Sequence, residues 1–491
     1  MSARLSDLVD LLPGSVLVGS DVGLRDVTHD SNEVPAGSLF CAVPGQHRDG
    51  HEHAEDALRA GAVALLVERE LPLDAPQLVV ASVRAAMGPT AAAVHDHPAR
   101  DLTMIGVTGT NGKTTVTFLV EAAMAAAGWG SGRIGTLGAR LHGSEEPGVR
   151  TTPESTDLQR LLRSMRTRGA DGVTMEVSSH GLDLRRVDGI VFDVAAFTNL
   201  TRDHLDWHGT MERYLEAKAR LFTPELSRQA VVLVDAPGAR DLLARVRVPV
   251  TTVGRGAGVD ILLRDVEVGR DGSRVTLVLD GDDVELRTPM RGAHNLENLV
   301  VAAVAAVRAG IAPATVAAAL AEVAAPPGRL EPLGGGDAPL VLVDYAHTPD
   351  AVAGAIAVGS GLIAPGGRLH VVIGAGGDRD RDKRALMGAA AAAADHVIVT
   401  DDNPRSEDPA LIRAAVLEGA RAVRPTAREV AGRIDAIQAA VIDAAVADVV
   451  LVLGRGHESH QEVAGQLLPL DDREVVRLAL AERASVGEVT R

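Results

Sequence analysis

The chain is poor in several things that would otherwise settle its class. A single cysteine, Cys41, rules out a disulfide framework and any zinc or iron–sulfur site built on cysteine. Aromatic residues make up only 2% of 491 positions, too few for the stacking platforms on which single-stranded nucleic acids lie. Positive charge is short as well. Against 66 Asp and Glu stand 49 Lys and Arg, a net charge of −17. With no basic face for nucleic acid or an anionic membrane, any phosphate must be held by a local site. The longest apolar stretch, 299–325, is broken by Arg308, Gly310, Pro313 and Glu322, so no membrane-spanning helix is expected. The first residues lack the apolar core of a signal peptide. What is present, 46% hydrophobic and 23% charged residues, is ordinary globular composition in a chain long enough for about three domains. The expectation is a soluble, cytoplasmic enzyme.

Short β-branched runs alternate with Ala- and Leu-rich helical stretches almost throughout, which predicts an α/β protein with largely parallel sheets. One seam falls after His97-Pro98, before the strand pattern at 102–107. A second falls at Ala325-Pro326-Pro327-Gly328, where two prolines and a glycine stop an Ala-rich helix. The expected domains are therefore 1–100, 101–328 and 329–491. A β-hairpin is expected within the second, over 264–287, where a strand-like run is flanked by Asp-Gly turns.

Chemistry enters at Gly106-Val-Thr-Gly109-Thr110-Asn111-Gly112-Lys113-Thr114-Thr115, which follows a strand and opens a helix. Backbone N–H groups of such a loop converge on phosphate oxygens and the helix N-terminus adds positive potential. Lys113 reaches the outer phosphates, and Thr114 offers a hydroxyl to Mg²⁺. The first glycine is displaced by one residue from the usual phosphate-loop spacing. By contrast, Gly374-Ala-Gly-Gly-Asp-Arg379 does not complete a dinucleotide fingerprint. Polar clusters close other strand patterns: Glu176-Val-Ser178-Ser179-His180 and Asn199-Leu-Thr-Arg-Asp203-His204. In open parallel sheets ligands bind beyond the carboxyl ends of strands, so these groups should share the loop's crevice, where a carboxylate and a histidine could ligate Mg²⁺ or orient its waters. Lys218, in a helical stretch, reads from its neighbours alone as a solvated lysine.

Taken in order, Gly-Thr-Asn-Gly-Lys-Thr-Thr (109–115), Thr-Thr-Pro-Glu-Ser (151–155), Glu-Val-Ser-Ser-His-Gly-Leu (176–182), Asn-Leu-Thr-Arg-Asp-His-Leu-Asp (199–206), His-Asn-x-x-Asn (294–298), Pro-Gly-Arg (327–329), Asp-Tyr-Ala-His-Thr-Pro-Asp (344–350), Gly-Gly-Asp-Arg-Asp (376–380), Asp-Asn-Pro-Arg (402–405) and Gly-Arg-Gly-His-Glu (454–458) resemble the Mur ligases of bacterial peptidoglycan synthesis. The set is most similar to the branch that adds the third amino acid. The displaced glycine belongs to that family's own form of the loop.

The resemblance implies three domains: a small N-terminal one for the UDP-sugar (1–100), a central P-loop ATPase-like one (101–328), and a Rossmann-like C-terminal one for the amino acid (329–491). It implies ATP as co-substrate, Mg²⁺ as cofactor, small-molecule substrates and a monomer. The reaction would join the D-glutamyl carboxyl of UDP-N-acetylmuramoyl-L-alanyl-D-glutamate to meso-2,6-diaminopimelate through an acyl phosphate. The open alternatives are L-lysine as the amino acid, or a catalytically silent P-loop protein.

By the same resemblance, Gly109 to Thr115 with Asn295, Arg329, Asp344 and His347 would bind ATP. Ser31, Thr151, Thr152, Ser178 and Arg186 would bind the muramoyl dipeptide. Arg384, Asp402, Asn403, Pro404, Arg405, Gly454 and Glu458 would bind the diamino acid. Thr114, Glu176, His204 and Lys218 would surround Mg²⁺, with Lys218 carbamylated and Lys113, Lys218 and His204 catalytic. Asn32 stands where many members have Arg, and Leu184 where some have Gln.

Overall fold

The computed structural model describes residues 3–45, 48–146, 148 and 150–489. Three main sheets follow one another along the chain. The first has five strands in the order Val16–Val18, Gln77–Val79, Ala62–Val67, Ser38–Cys41, Asp26–Thr28, with only the Val16–Val18 edge antiparallel. Its core is built on Leu39, Leu66, Leu78 and Met87.

The second sheet has eleven strands. At its centre six parallel strands run in the order Val250–Gly254, Ala230–Leu233, Val194–Phe197, Thr103–Thr108, Gly172–Glu176, Ser131–Gly135. Parallel strands are covered by helices on both faces, and Met104 through Thr108 are buried accordingly. Helices Lys113–Ala126 and Ala293–Arg308 pack together on one face. The 264–287 region is larger than expected. It holds a three-stranded antiparallel meander, Ile261–Val268, Ser273–Leu279 and Asp282–Thr288, the last pair turned by Asp280-Gly281. The first strand escapes the sequence pattern because it carries three charged residues, Arg264, Asp265 and Glu267, on exposed positions.

The third sheet runs Glu331–Gly334, Leu340–Asp344, Val449–Leu453, Leu369–Ile373, His396–Val399, Arg428–Glu429, parallel except at its first strand. Nine irregular residues, 322–330, lead into it from the preceding helix. Among the described residues, no helix is long and apolar enough to cross a membrane.

Candidate active site

The phosphate loop leaves Thr103–Thr108, a strand flanked on both sides by parallel neighbours, and enters helix Lys113–Ala126. Two glycines are fixed by geometry. Gly109 (φ +152°) and Gly112 (φ +87°) both lie where side chains are strained, and a Cβ would come within 1.8 Å of Thr198 Oγ1 and 2.2 Å of Asn298 Oδ1 respectively. The loop is zipped to the segment after strand Val194–Phe197. Thr110 N donates to Asn199 O (2.8 Å), Asn111 N to Asn199 Oδ1 (3.0 Å), Thr201 N to Thr110 Oγ1 (3.0 Å), and Thr198 Oγ1 to Asn111 O (2.6 Å).

Both lysines assigned to this region converge on it. Lys113 Nζ donates to the carbonyls of Gly109 and Thr110 at 2.9 Å, and Lys218 Nζ to Gly109 O at 2.8 Å. Lys218 is 1% exposed, which overturns the solvated reading of its helix. Burial holds its ammonium well below the ordinary lysine range, and the neighbouring Lys113 charge lowers it further. Thr114 Oγ1 donates to Glu176 Oε1 (2.9 Å), and Glu176 also accepts Thr136 N (2.9 Å) and Thr136 Oγ1 (3.1 Å). Thr136 Oγ1 lies 3.1 Å from Thr151 Oγ1, so one hydrogen-bonded chain leads from the loop to the dipeptide-side residues.

Two cavities flank this chain. One is lined by Asn111, Gly112, Thr115, Asn295, Arg329 and Asp344, all assigned to ATP. Arg329 bridges to the central domain, donating to Thr114 Oγ1 (3.1 Å), while its guanidinium lies 4.5 Å from the Tyr345 ring centre. The other, of about 600 Å³, collects Thr151, Thr152, Ser178, Arg186 and His204 from the central domain and Asp402, Asn403, Arg405, Gly454 and Glu458 from the C-terminal one. That volume suits two small polar substrates meeting end to end.

Some assigned residues fall elsewhere. His347 lines the polar cavity, not the one holding Asn295 and Asp344. A carbonyl accepts only, so the 2.8 Å contact of its Nδ1 with Tyr345 O puts a proton on Nδ1, while Nε2 lies 3.7 Å from Asp203 Oδ2. Arg384 lines neither cavity; its fork is occupied by Glu407 (2.8 and 3.1 Å) and Gly376 O (3.2 Å). Pro404 is likewise absent from both linings, and so is Ser31, which follows strand Asp26–Thr28 of the first sheet.

Asp203, Arg379, Asp380 and Lys383 line the polar cavity, and none of them has a role assigned from the sequence. Their signal was adjacency: each sits within or beside a motif named for another residue. Asp203 is 4% exposed; burial would raise its carboxyl, but its contact with His347 and the charge of Lys383 hold it well below the usual range. Burial lowers the His204 imidazole to about 2, leaving it neutral, the form a metal accepts. At the amino-acid end, burial and the nearby Asp402 raise the Glu458 carboxyl, which accepts Asn403 Nδ2 at 2.7 Å. Arg405 adopts a left-handed backbone (φ +54°) and donates through Nη1 to Gly377 O (2.7 Å). Among the described residues no three His, Cys, Asp or Glu side chains converge as a ready-made metal cage.

Residues 24–100 match the family model described as the Mur ligase family catalytic domain, 107–306 the Mur ligase middle domain, and 328–456 the Mur ligase glutamate ligase domain. The UDP-N-acetylmuramoyl-L-alanyl-D-glutamate–2,6-diaminopimelate ligase of Streptomyces coelicolor is 43% identical over 489 residues, covering 97% of this chain and 96% of that one. The chain belongs to the Mur ligase family. A solved UDP-N-acetylmuramoyl-L-alanyl-D-glutamate–2,6-diaminopimelate ligase resembles this Mur ligase at a TM-score of 0.70 and 31% identity, covering 99% of this chain and 100% of that one. The Mur ligase fold extends to the MurF ligase of Thermotoga maritima in complex with ADP, at a TM-score of 0.61 and 20% identity over 94% of this chain and 98% of that one.

Proposed function

We propose that this Mur ligase joins the D-glutamyl carboxyl of UDP-N-acetylmuramoyl-L-alanyl-D-glutamate to meso-2,6-diaminopimelate at the expense of ATP. One observation carries the reading. The residues assigned to the dipeptide and those assigned to the diamino acid line a single cavity, and a hydrogen-bonded chain ties that cavity to the phosphate loop. A carboxylate does not react with an amine in water without activation. The γ-phosphoryl group passes to the carboxylate oxygen and ADP leaves. The amine nitrogen then bonds to the acyl carbon, its proton is lost, and the C–O bond to phosphate breaks.

Both reactants of the first step are anions, so the work is positioning and charge neutralisation. Lys113 and the N-terminus of helix Lys113–Ala126 face the phosphates. Thr114, Glu176 and His204 would hold Mg²⁺, which supplies further neutralisation between the two anions. Lys218 fits a carbamate. Burial and Lys113 favour its neutral amine, which can add to carbon dioxide with loss of a proton and so become an anionic oxygen donor. The irregular 322–330 segment allows the C-terminal domain to close over the reactive acyl phosphate and exclude water. By this reading the 1–100 domain carries the UDP-sugar, with Ser31 among its contacts.

Specificity for diaminopimelate rests on Arg405, whose planar fork can hold the carboxylate that lysine lacks. The test is a panel of diaminopimelate isomers and L-lysine with ATP and the UDP-dipeptide, the amide product being read by mass. The expected result is product with the meso isomer and a preference over lysine of roughly 10⁴ in kcat/KM. Equal use of lysine would replace the diaminopimelate assignment, and ADP release with no amide from any amine would remove the ligase reading.

A further inference from the structure

The chain has only three lysines, Lys113, Lys218 and Lys383, against 46 arginines. Two of them meet at Gly109 in the phosphate loop. The third, Lys383, lies in the C-terminal domain, is 7% exposed, and reaches across to Asp203 of the central domain, Nζ to Oδ1 3.4 Å. In a sequence that supplies its cations as arginine almost everywhere, a buried lysine marks a place where a guanidinium does not serve. The neighbouring position shows why. Arg384 sets its two terminal nitrogens on both oxygens of Glu407 and the Gly376 carbonyl and still leaves Nε without a partner, whereas Lys383 has Asp203 Oδ1 as its one hydrogen-bond acceptor among the described residues. A five-donor fork there would leave buried N–H groups unpaired, but a compact ammonium needs less.

Asp203 is a hub. Oδ1 also accepts the backbone N–H of His204 (2.9 Å), while Oδ2 faces His204 Nε2 (3.4 Å) and His347 Nε2 (3.7 Å). His204 itself sits in the left-handed region at φ +53°, a strained setting for a residue other than glycine. The same 198–204 segment grips the phosphate loop through Asn199, Thr198 and Thr201.

We propose that Lys383 is a positioning residue for the ligation: from the C-terminal domain its ammonium fixes Asp203, and through Asp203 the strained turn carrying His204 and the segment that holds the phosphate loop, so that phosphoryl transfer is enabled only when that domain is docked. The inference rests on the ligase reading above.

The experiment uses the full-length enzyme and two reactions. Amide formation with diaminopimelate reports the whole cycle. Hydroxylamine, which captures an acyl phosphate as hydroxamate, reports the first step alone. K383M keeps the length and packing of the side chain but not its charge. It should lower kcat for both reactions by a common factor of about 10², with KM for the amino acid changed less than about threefold and thermal unfolding unaltered. D203N combined with K383M should be no slower than D203N alone, to within about twofold, because both act through one contact. K383C alkylated with 2-bromoethylamine regenerates an ammonium of nearly lysine length and should recover to within about fivefold of wild type. The one native thiol does not compete, since Cys41 is fully buried and burial pushes its thiol up.

Wild-type rates in K383M, hydroxamate formation spared while amide formation is lost, multiplied losses in the double variant, or no recovery on alkylation would each overturn the proposal. Failure of the ligase reading looks different: wild-type enzyme would then yield neither amide nor hydroxamate.

Discussion

Two networks of buried charge in this protein differ in almost every geometric respect. Inside the C-terminal domain, Arg433 donates to Asp472 twice (2.8 and 2.6 Å) and to the carbonyls of Asp401 (3.1 Å) and Leu453 (2.9 Å), and both charged side chains are fully buried. At the boundary with the central domain, Lys383, His204 and His347 surround Asp203 at 3.4 to 3.7 Å, next to a cavity. In the first, every nitrogen of Arg433 has a partner at 3.1 Å or less, though a second buried arginine, Arg455, lies 3.9 Å from Asp472. The second is long, sparsely partnered and open on one side. A charge network that spends all its hydrogen bonds on itself serves architecture, because nothing is left to offer a ligand. One that leaves donors facing a cavity keeps them for substrate, and depends on substrate to complete it.

The sharpest way to break this comparison is to swap the expected consequences. D472N leaves the Arg433 guanidinium buried and half-paired between helices Arg433–Asp443 and Asp472–Val489, so it should cost about 3–5 kcal/mol of stability in urea unfolding. Its kcat at low temperature should match wild type. K113A should do the reverse. The Lys113 ammonium binds only carbonyls of its own loop, so thermal unfolding should not change, while turnover falls by at least about 10³-fold, some 4 kcal/mol in the barrier. A folded K113A variant with normal turnover would remove the phosphate loop from the mechanism.

The sequence was legible where one local rule sufficed. Strand Thr103–Thr108 is apolar from Met104 to Val107 and buried from Met104 onward, and the glycines after it announce the loop. The parallel sheets follow from the alternation of strands and helices. The meander was only partly legible, because Ile261–Val268, third from one end of the eleven-stranded sheet, hides a strand behind the exposed Arg264, Asp265 and Glu267. Lys218 was illegible from its neighbours, since helix Met211–Ala219 carries as many charged residues as a solvated helix would; its burial is decided by Gly109, over a hundred positions away. Asp203 and Lys383 escaped for a related reason. Their pairing joins residues 180 positions apart across two domains, and no periodicity encodes that distance. Family likeness proposed the other site residues, though it grouped His347 with the ATP residues and not with those of the polar cavity that His347 lines.

The comparison sharpens at Arg405, where an open-sided charge is held by a strained backbone. R405A should lose about 2–4 kcal/mol in kcat/KM for diaminopimelate, since a desolvated carboxylate would be left without its fork. R405K should recover only part of this, because an ammonium cannot make the two parallel hydrogen bonds. Thermal unfolding of both variants should stay close to wild type. Undiminished kcat/KM in R405A would place the reading of the distal carboxylate elsewhere in the cavity.

The smallest effect belongs to Arg202, one residue before Asp203, and it tests whether burial or mere proximity to the boundary matters. Arg202 also reaches the C-terminal domain, with Nε 3.8 Å from Asp380 and Nη2 3.6 Å from Asp382. Its side chain is 40% exposed and that of Asp382 85%, so water and salt screen the pair they make; Asp380 is 7% exposed, but its 3.8 Å contact is too long for a hydrogen bond. Exposed pairs of this kind contribute about 0–1 kcal/mol, and R202A should therefore change kcat by no more than about fivefold. Whatever loss it shows should vanish at high ionic strength, where the wild type loses the same interaction. The loss in K383M should persist there, because Lys383 and Asp203 are shielded from the solvent that carries the counterions. If R202A proves as damaging as K383M at every salt concentration, the boundary acts as one extended charged surface, and the distinction between buried and exposed contacts across it fails.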